Sequence, residues 1–169
     1  IAKTRDMSFQ DDKGVAEWMI AVKKGDLTAA KQILRRPIDI NITGKDGWTA
    51  LMWAAKMGRT EMAAFLIEQG ATLDVRNGEG AAALNMAAHE GHAELAKLLI
   101  NAGALVNGSD RYGTTPLMLA SMEDHQEVVR LLIQRGADPN LRDRYKNTAL
   151  TLATLRGNVD VANLLIEHG

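Results

Sequence analysis

The sequence predicts an all-α solenoid of stacked helix-turn-helix units. Three observations carry that expectation. First, Gly47 to Gly70, GWTALMWAAKMGRTEMAAFLIEQG, returns at a fixed step of 33 residues, as GAAALNMAAHEGHAELAKLLINAG from Gly80 and GTTPLMLASMEDHQEVVRLLIQRG from Gly113. A further copy, KNTALTLATLRGNVDVANLLIEHG, starts at Lys146, and a divergent one, GVAEWMIAVKKGDLTAAKQILRRP, starts at Gly14. Second, Leu51, Leu84, Leu117 and Leu150 keep step without an insertion or deletion. Third, each copy reads as two short apolar helices punctuated by glycine, a unit that cannot bury its own face and must stack on a neighbour.

The opening GTTPLMLAS resembles the ankyrin repeat, whose first helix begins Thr-Pro-Leu-His and continues to Ala-Ala. The resemblance covers roughly residues 14 to 169 without a gap. It implies repeats at about 14–46, 47–79, 80–112, 113–145 and 146–169, joined by projecting hairpin-like loops, within one domain spanning 11–169, behind a tail of residues 1–10.

The elements follow in order. The first helix is expected to begin near Asp11 or Asp12, either of which can cap it. Trp18 reads as a large core plug, and Lys13, Glu17, Lys23, Lys24 and Lys31 as the polar side of an end repeat. Thr49, Thr115 and Thr148 occupy the cap of the later first helices, and Pro116 follows its threonine at the favourable first helical position. Ala82 fills the same slot in the third repeat and has no oxygen with which to cap. Met52 and Met118 replace the usual histidine and read as packing. Gly58, Gly91 and Gly157, with Asp124 in the equivalent place, allow the chain to reverse. Second helices such as Glu94–Asn101 and Glu127–Gln134 are expected to stop at Gly70, Gly103 and Gly136, and the first of them at Pro37. Val161, Ala162, Leu164, Leu165 and Ile166 are as apolar as an internal repeat, so the last unit is expected to leave an apolar edge for a chain continuation or a partner.

Composition narrows the function. Hydrophobic residues make up 46% and charged residues 24%, an ordinary globular balance, while aromatics are only 4%. Twenty basic against twenty-one acidic residues, scattered along the chain, argue against a nucleic-acid partner. No apolar run approaches the roughly 20 residues of a membrane span, so membrane insertion is not expected. Cysteine is absent, which excludes disulfides, thiolate metal sites and cysteine nucleophiles. It leaves the compartment open: the cytoplasm is favoured, with a periplasmic or secreted location if a signal peptide preceded Ile1.

His89-Glu90-Gly91-His92 is the most catalytic-looking fragment. A zinc-hydrolase motif needs two histidines four apart on one continuous helix, whereas these are three apart across a glycine expected to end the helix. His92 and His125 share a repeat slot, so an architectural role is the stronger reading and a metal-dependent hydrolase the weaker. Ser8, Ser109 and Ser121 lack a nucleophile-elbow context, and Asn77-Gly78-Glu79-Gly80 lacks a phosphate-loop pattern. The expectation is a chain without catalytic residues, metal or cofactor.

In ankyrin proteins partners contact the loop tips and the exposed side of the first helices. Carried onto this sequence, that implies Lys45, Trp48, Arg76, Arg111, Tyr112, Arg144 and Tyr145 at the tips, and Met57, His89, Met122 and Leu155 on the helices. Aromatics flanked by arginine are typical of interface hot spots, and methionine adapts to irregular surfaces. The competing reading is that the rings lie back over neighbouring loops and support the stack. The resemblance thus implies a monomeric, non-catalytic module that binds a partner protein through its concave side, inhibition or regulation of that partner being one concrete form. A targeting or assembly segment of a larger enzyme or channel is the alternative.

Overall fold

A computed structural model describes residues 12–168; the expected tail at 1–10 and the candidate cap Asp11 lie outside them. The described residues form five helix pairs. These are α1 (Asp12–Lys24) with α2 (Leu27–Ile33), α3 (Ala50–Lys56) with α4 (Thr60–Glu68), and α5 (Ala83–Glu90) with α6 (Ala93–Asn101). They continue as α7 (Pro116–Met122) with α8 (Gln126–Gln134) and α9 (Ala149–Arg156) with α10 (Val159–His168). A 3₁₀ turn at Lys45–Gly47 marks the first loop tip, and there is no strand among the described residues.

Local chemistry accounts for where these helices start. Thr49 Oγ1 accepts the Met52 amide at 3.2 Å, Thr115 Oγ1 the Met118 amide at 3.3 Å, and Thr148 Oγ1 the Thr151 amide at 3.3 Å. Ala82 has no such oxygen. In its place Asn85 reaches back to accept the Ala82 amide at 3.0 Å, while its Nδ2 donates to the Gly108 carbonyl of the next loop. Asn85 is thereby buried and fully engaged, a bridge between two repeats.

The turns inside each pair are built by contacts with the following repeat. Gly91 closes α5 in the left-handed region, at φ +78°. A Cβ there would lie 2.5 Å from the His125 ring, so both conformation and close approach require glycine. The His125 ring donates from Nε2 to the His89 carbonyl at 2.9 Å, and His92 donates likewise to the Lys56 carbonyl at 3.0 Å. Arg59 bonds the Lys23 carbonyl, and Asn158 bonds those of Ser121 and Met122, from the same slot. Asp124 adopts the left-handed turn without a glycine, at φ +59°.

Packing follows the period. The first helices stack in one layer, α1 on α3, α3 on α5, α5 on α7 and α7 on α9, and α4, α6, α8 and α10 stack in a second. Fully buried Ala54, Ala55, Ala87, Ala88 and Ala120 let the first helices approach closely, with Leu51, Leu84 and Leu117 between the layers. Trp18 plugs the first repeat as expected, and Met52 and Met118 are core residues.

Asp12 lies in the first described turn of α1, where its carboxylate favours the positive helix end. Three expectations need adjustment. Helix α2 ends at Ile33, before Pro37 can stop it. Helices α6 and α8 begin one residue earlier than read, at Ala93 and Gln126, leaving Glu94 and Glu127 in their first turns. The apolar far edge is narrower than the sequence suggests: Val161, Leu164 and Leu165 are buried, while Ile166 is exposed and Leu150 only half-buried.

Candidate functional site

The loops are held rigid by a repeated carboxylate or amide. Asp110 Oδ1 accepts the amides of Tyr112 and Thr114, at 2.8 and 2.9 Å, and Asp143 Oδ1 accepts those of Tyr145 and Asn147. Asn77 does the same for Glu79 and Ala81. Each tip then bonds its predecessor: Gly78 N–H to the Asp46 carbonyl at 2.8 Å, Arg111 N–H to Glu79 at 2.9 Å, and Arg144 N–H to Tyr112 at 2.8 Å. This chain of bonds lines up one tip per repeat, so Lys45, Arg111 and Arg144 stand in equivalent, exposed positions.

Tip side chains form a second ladder. Arg111 pairs with Glu79 at 2.9 Å, donates to the Tyr112 hydroxyl, and lies 4.8 Å from that ring's centroid. The hydrogen bond to Tyr112, followed by the field of Glu79, raises the Arg111 guanidinium pKa above its usual value. Arg144 lies 5.6 Å from the Tyr112 ring and 5.7 Å from the Tyr145 ring. Tyr112 is half-buried between the arginines, whereas Tyr145 is 68% exposed. Arg76 departs from the expected pattern. Its guanidinium turns into the loops, donating to the Gly80 and Ser109 carbonyls, and braces the third repeat against the second.

Below the tips, the first helices continue the surface. Trp48 lies back on Trp53, with centroids 4.4 Å apart and planes inclined by 30°. Lys23 sits 3.6 Å over the Trp53 ring and Lys56 5.7 Å over Trp48. Trp48 is therefore half-buried, and for this ring support of the stack and surface exposure coexist. Further along, Lys56 meets Glu90 at 3.5 Å, and His89 approaches Glu90 at 3.3 Å and Glu123 at 3.9 Å. This polar ladder runs from α3 through α5 to Glu123 at the end of α7, and places His89 on the first-helix face. Met57 (44%) and Leu155 (73%) project from that face, and Met122 is half-buried.

Sequence reasoning passed over Trp53 and its slot. Ile20, Trp53, Met86, Leu119 and Leu152 occupy one repeat position, three residues before Lys23, Lys56, His89, Met122 and Leu155. An i, i+3 relation puts the two rows side by side on each helix. All five residues of the first row are apolar and none is fully buried. An open cleft of about 590 Å³ lies at the start of this row, lined by Met19, Lys23, Gly44, Lys45 and Trp53 among others. The signal was present: an apolar residue stands directly before the buried alanine of each full repeat, at Trp53, Met86, Leu119 and Leu152, and each is only partly buried.

The histidines do not converge. His92 and His125 are each committed to a backbone carbonyl, and among the described residues no group of three His, Cys, Asp or Glu could hold a metal ion. No helix among the described residues is long and apolar enough to cross a membrane.

Comparison with known families agrees with this geometry. A family model described as ankyrin repeats (3 copies) matches residues 18–110, 70–143 and 104–169. A search of curated proteins returned no match to the chain.

Proposed function

The chain belongs to the ankyrin-repeat family, and from that premise we propose a protein-binding module whose partner lies across the loop tips and the concave first-helix face. Ankyrin repeats are protein-interaction modules and the family is typically non-catalytic. The observation that carries the finer reading is the continuous band from Trp48 and Trp53 to Tyr145 and Leu155. It exposes Ile20, Met57, Tyr145 and Leu155 and leaves Trp48, Trp53, Met86, Tyr112, Leu119 and Met122 half-buried, so each repeat offers apolar surface there, while the middle second helices α6 and α8 present Glu94, Lys97, Glu127 and Arg130.

A rigid, pre-formed face of this kind binds without paying to order its loops. Within it, Lys45, Met57, Arg111, Tyr112, Met122, Arg144, Tyr145 and Leu155 are the contact residues, with Trp48 and His89 contributing their outward edges. Arg76 acts indirectly, by holding its loop. A partner spanning several repeats would have its own surface covered, which suits an inhibitor or regulator. The module acts as a monomer on protein rather than nucleic acid, its charges being nearly balanced.

The test uses a partner isolated with the intact chain. Tyr145→Ala with Leu155→Ala should weaken binding by about 2 kcal/mol or more, the scale of hot-spot residues. Lys97→Ala with Arg130→Ala on the second-helix side should change affinity little. Loss of binding only in the second-helix variant, with both variants equally folded by circular dichroism, would refute the proposed face.

A further inference from the structure

The fourth loop breaks a steric rule that the other three obey. Gly47, Gly80 and Gly113 occupy one slot at φ +76°, +75° and +79°. In each the next loop presses close: a Cβ on Gly80 would lie 2.8 Å from the Arg111 nitrogen, and on Gly47 and Gly113 it would lie 3.2 Å from Asn77 and Asp143. The same slot in the fourth loop holds Lys146, at φ +70°. The Lys146 side chain is exposed. The left-handed backbone still disfavours it, since its Cβ crowds the following carbonyl. A cation is thus held at the tip against local preference, and an outlier of this kind points to function.

The surroundings supply the chemistry. Arg142, Arg144 and Lys146 are all exposed, and none has an ion-pair partner among the described residues, whereas Arg111 is matched by Glu79. The loop's own acid is turned inward: Asp143 accepts the amides of Tyr145 and Asn147 through Oδ1 and the Asn147 side-chain amide through Oδ2. Beside these cations stands Tyr145, and Leu155 projects from the helix that follows.

We infer that this end of the face binds an acidic protein segment. An apolar residue of the segment rests on Tyr145 and Leu155, and flanking Asp or Glu side chains pair with Arg142, Arg144 and Lys146. Guanidinium groups match carboxylates in a planar, two-bond geometry, which makes the arginines selective for such a segment. Glu79, Glu90 and Glu123 lie along the same face and oppose a phosphate backbone, so protein is favoured over nucleic acid. The inference rests on the protein-binding reading above and adds the partner's charge.

The intact chain is screened at physiological salt against a displayed library of random short peptides, with a labelled single-stranded DNA oligonucleotide as the competing probe. Retained peptides should be enriched in Asp and Glu, and Arg142→Ala with Arg144→Ala should weaken them about tenfold or more. Lys146→Gly should weaken binding while leaving Tm unchanged or raised, a divergence that a structural lysine would not produce. Retained peptides without acidic excess, unchanged affinity in the arginine variant, or tighter binding of the oligonucleotide would each overturn the inference. So would an empty screen, or a lowered Tm with unaltered binding in Lys146→Gly. Peptides without acidic excess that are lost on Tyr145→Ala with Leu155→Ala would overturn it while leaving the proposed face standing. Peptides indifferent to every tip and first-helix substitution would overturn both.

Discussion

Replacing Ala82 by threonine is expected to stabilise the protein, and the structure lets the size of the effect be worked out. Ala82 precedes α5 at φ −104° and ψ 177°, close to the extended geometry of Thr49 and Thr115 at the equivalent caps. Those threonines are almost fully buried, so the slot accommodates the larger side chain in both neighbouring repeats. A threonine hydroxyl at 82 would meet the Asn85 amide as Thr49 meets that of Met52, an exchange worth about 0.5–2 kcal/mol. The added methyl contributes about 0.8 kcal/mol on burial, set against about 0.5 kcal/mol for fixing the rotamer. The net expectation is about 1 kcal/mol, or about 2–4 °C in Tm for a chain of this size. Urea unfolding reports it as a higher midpoint at constant slope, and slower amide exchange over 83–86 localises it. A lower midpoint at constant slope would show that close packing demands alanine. An unchanged midpoint, with Thr115→Ala costing about 1 kcal/mol in parallel, would show that Asn85 alone already secures the helix start.

Other outcomes follow from the same contacts. Leu84→Ala and Leu117→Ala should each cost about 2–5 kcal/mol in denaturant unfolding, because both side chains fill the interface between layers; Lys97→Ala should be nearly silent. Asn77→Asp should stabilise by about 1 kcal/mol, since the buried Asn77 Nδ2 lacks a hydrogen-bond partner and Asp110 and Asp143 serve the same loop role. A fall in midpoint at neutral pH would refute that account. Gly80→Ala and Gly136→Ala impose a similar left-handed penalty of about 1–2 kcal/mol, but only the first drives a Cβ into a neighbouring loop. The Gly80 variant should therefore be the less stable of the two, and equal losses would mean that the loops shift apart freely.

The sequence by itself determined what depends on local chemistry and on the period. The capping threonines, Pro116, the left-handed turns at Gly91 and Asp124, and the core register of Leu51, Leu84 and Leu117 all follow from residue type and a 33-residue step. In a stacked array each unit meets only its neighbours, so one period supplies nearly the whole tertiary pairing. The candidate face was legible to the same extent: the repeat slot shows which residues point outward at the tips. What the side chains do there was decided by contacts between repeats, some 31–37 residues apart in sequence. Arg76 has the composition of a contact residue, yet two carbonyls of adjoining loops claim its guanidinium. Trp48 reads as an exposed ring until Trp53 rises from α3 to meet it and Lys23 arrives from α1. Asn85 looks like a polar intrusion in a helix start, and only the approach of Gly108 turns it into a bridge. Gly47, Gly80 and Gly113 look like simple turn residues, and only the close approach of the next loop to each shows that a Cβ would be crowded there, whereas Lys146 takes the same left-handed conformation with an exposed side chain. Repeat spacing identifies equivalent positions, but it carries no distance between side chains of different shape; that distance, set by how closely alanine-lined helices stack, is what the tertiary structure supplied.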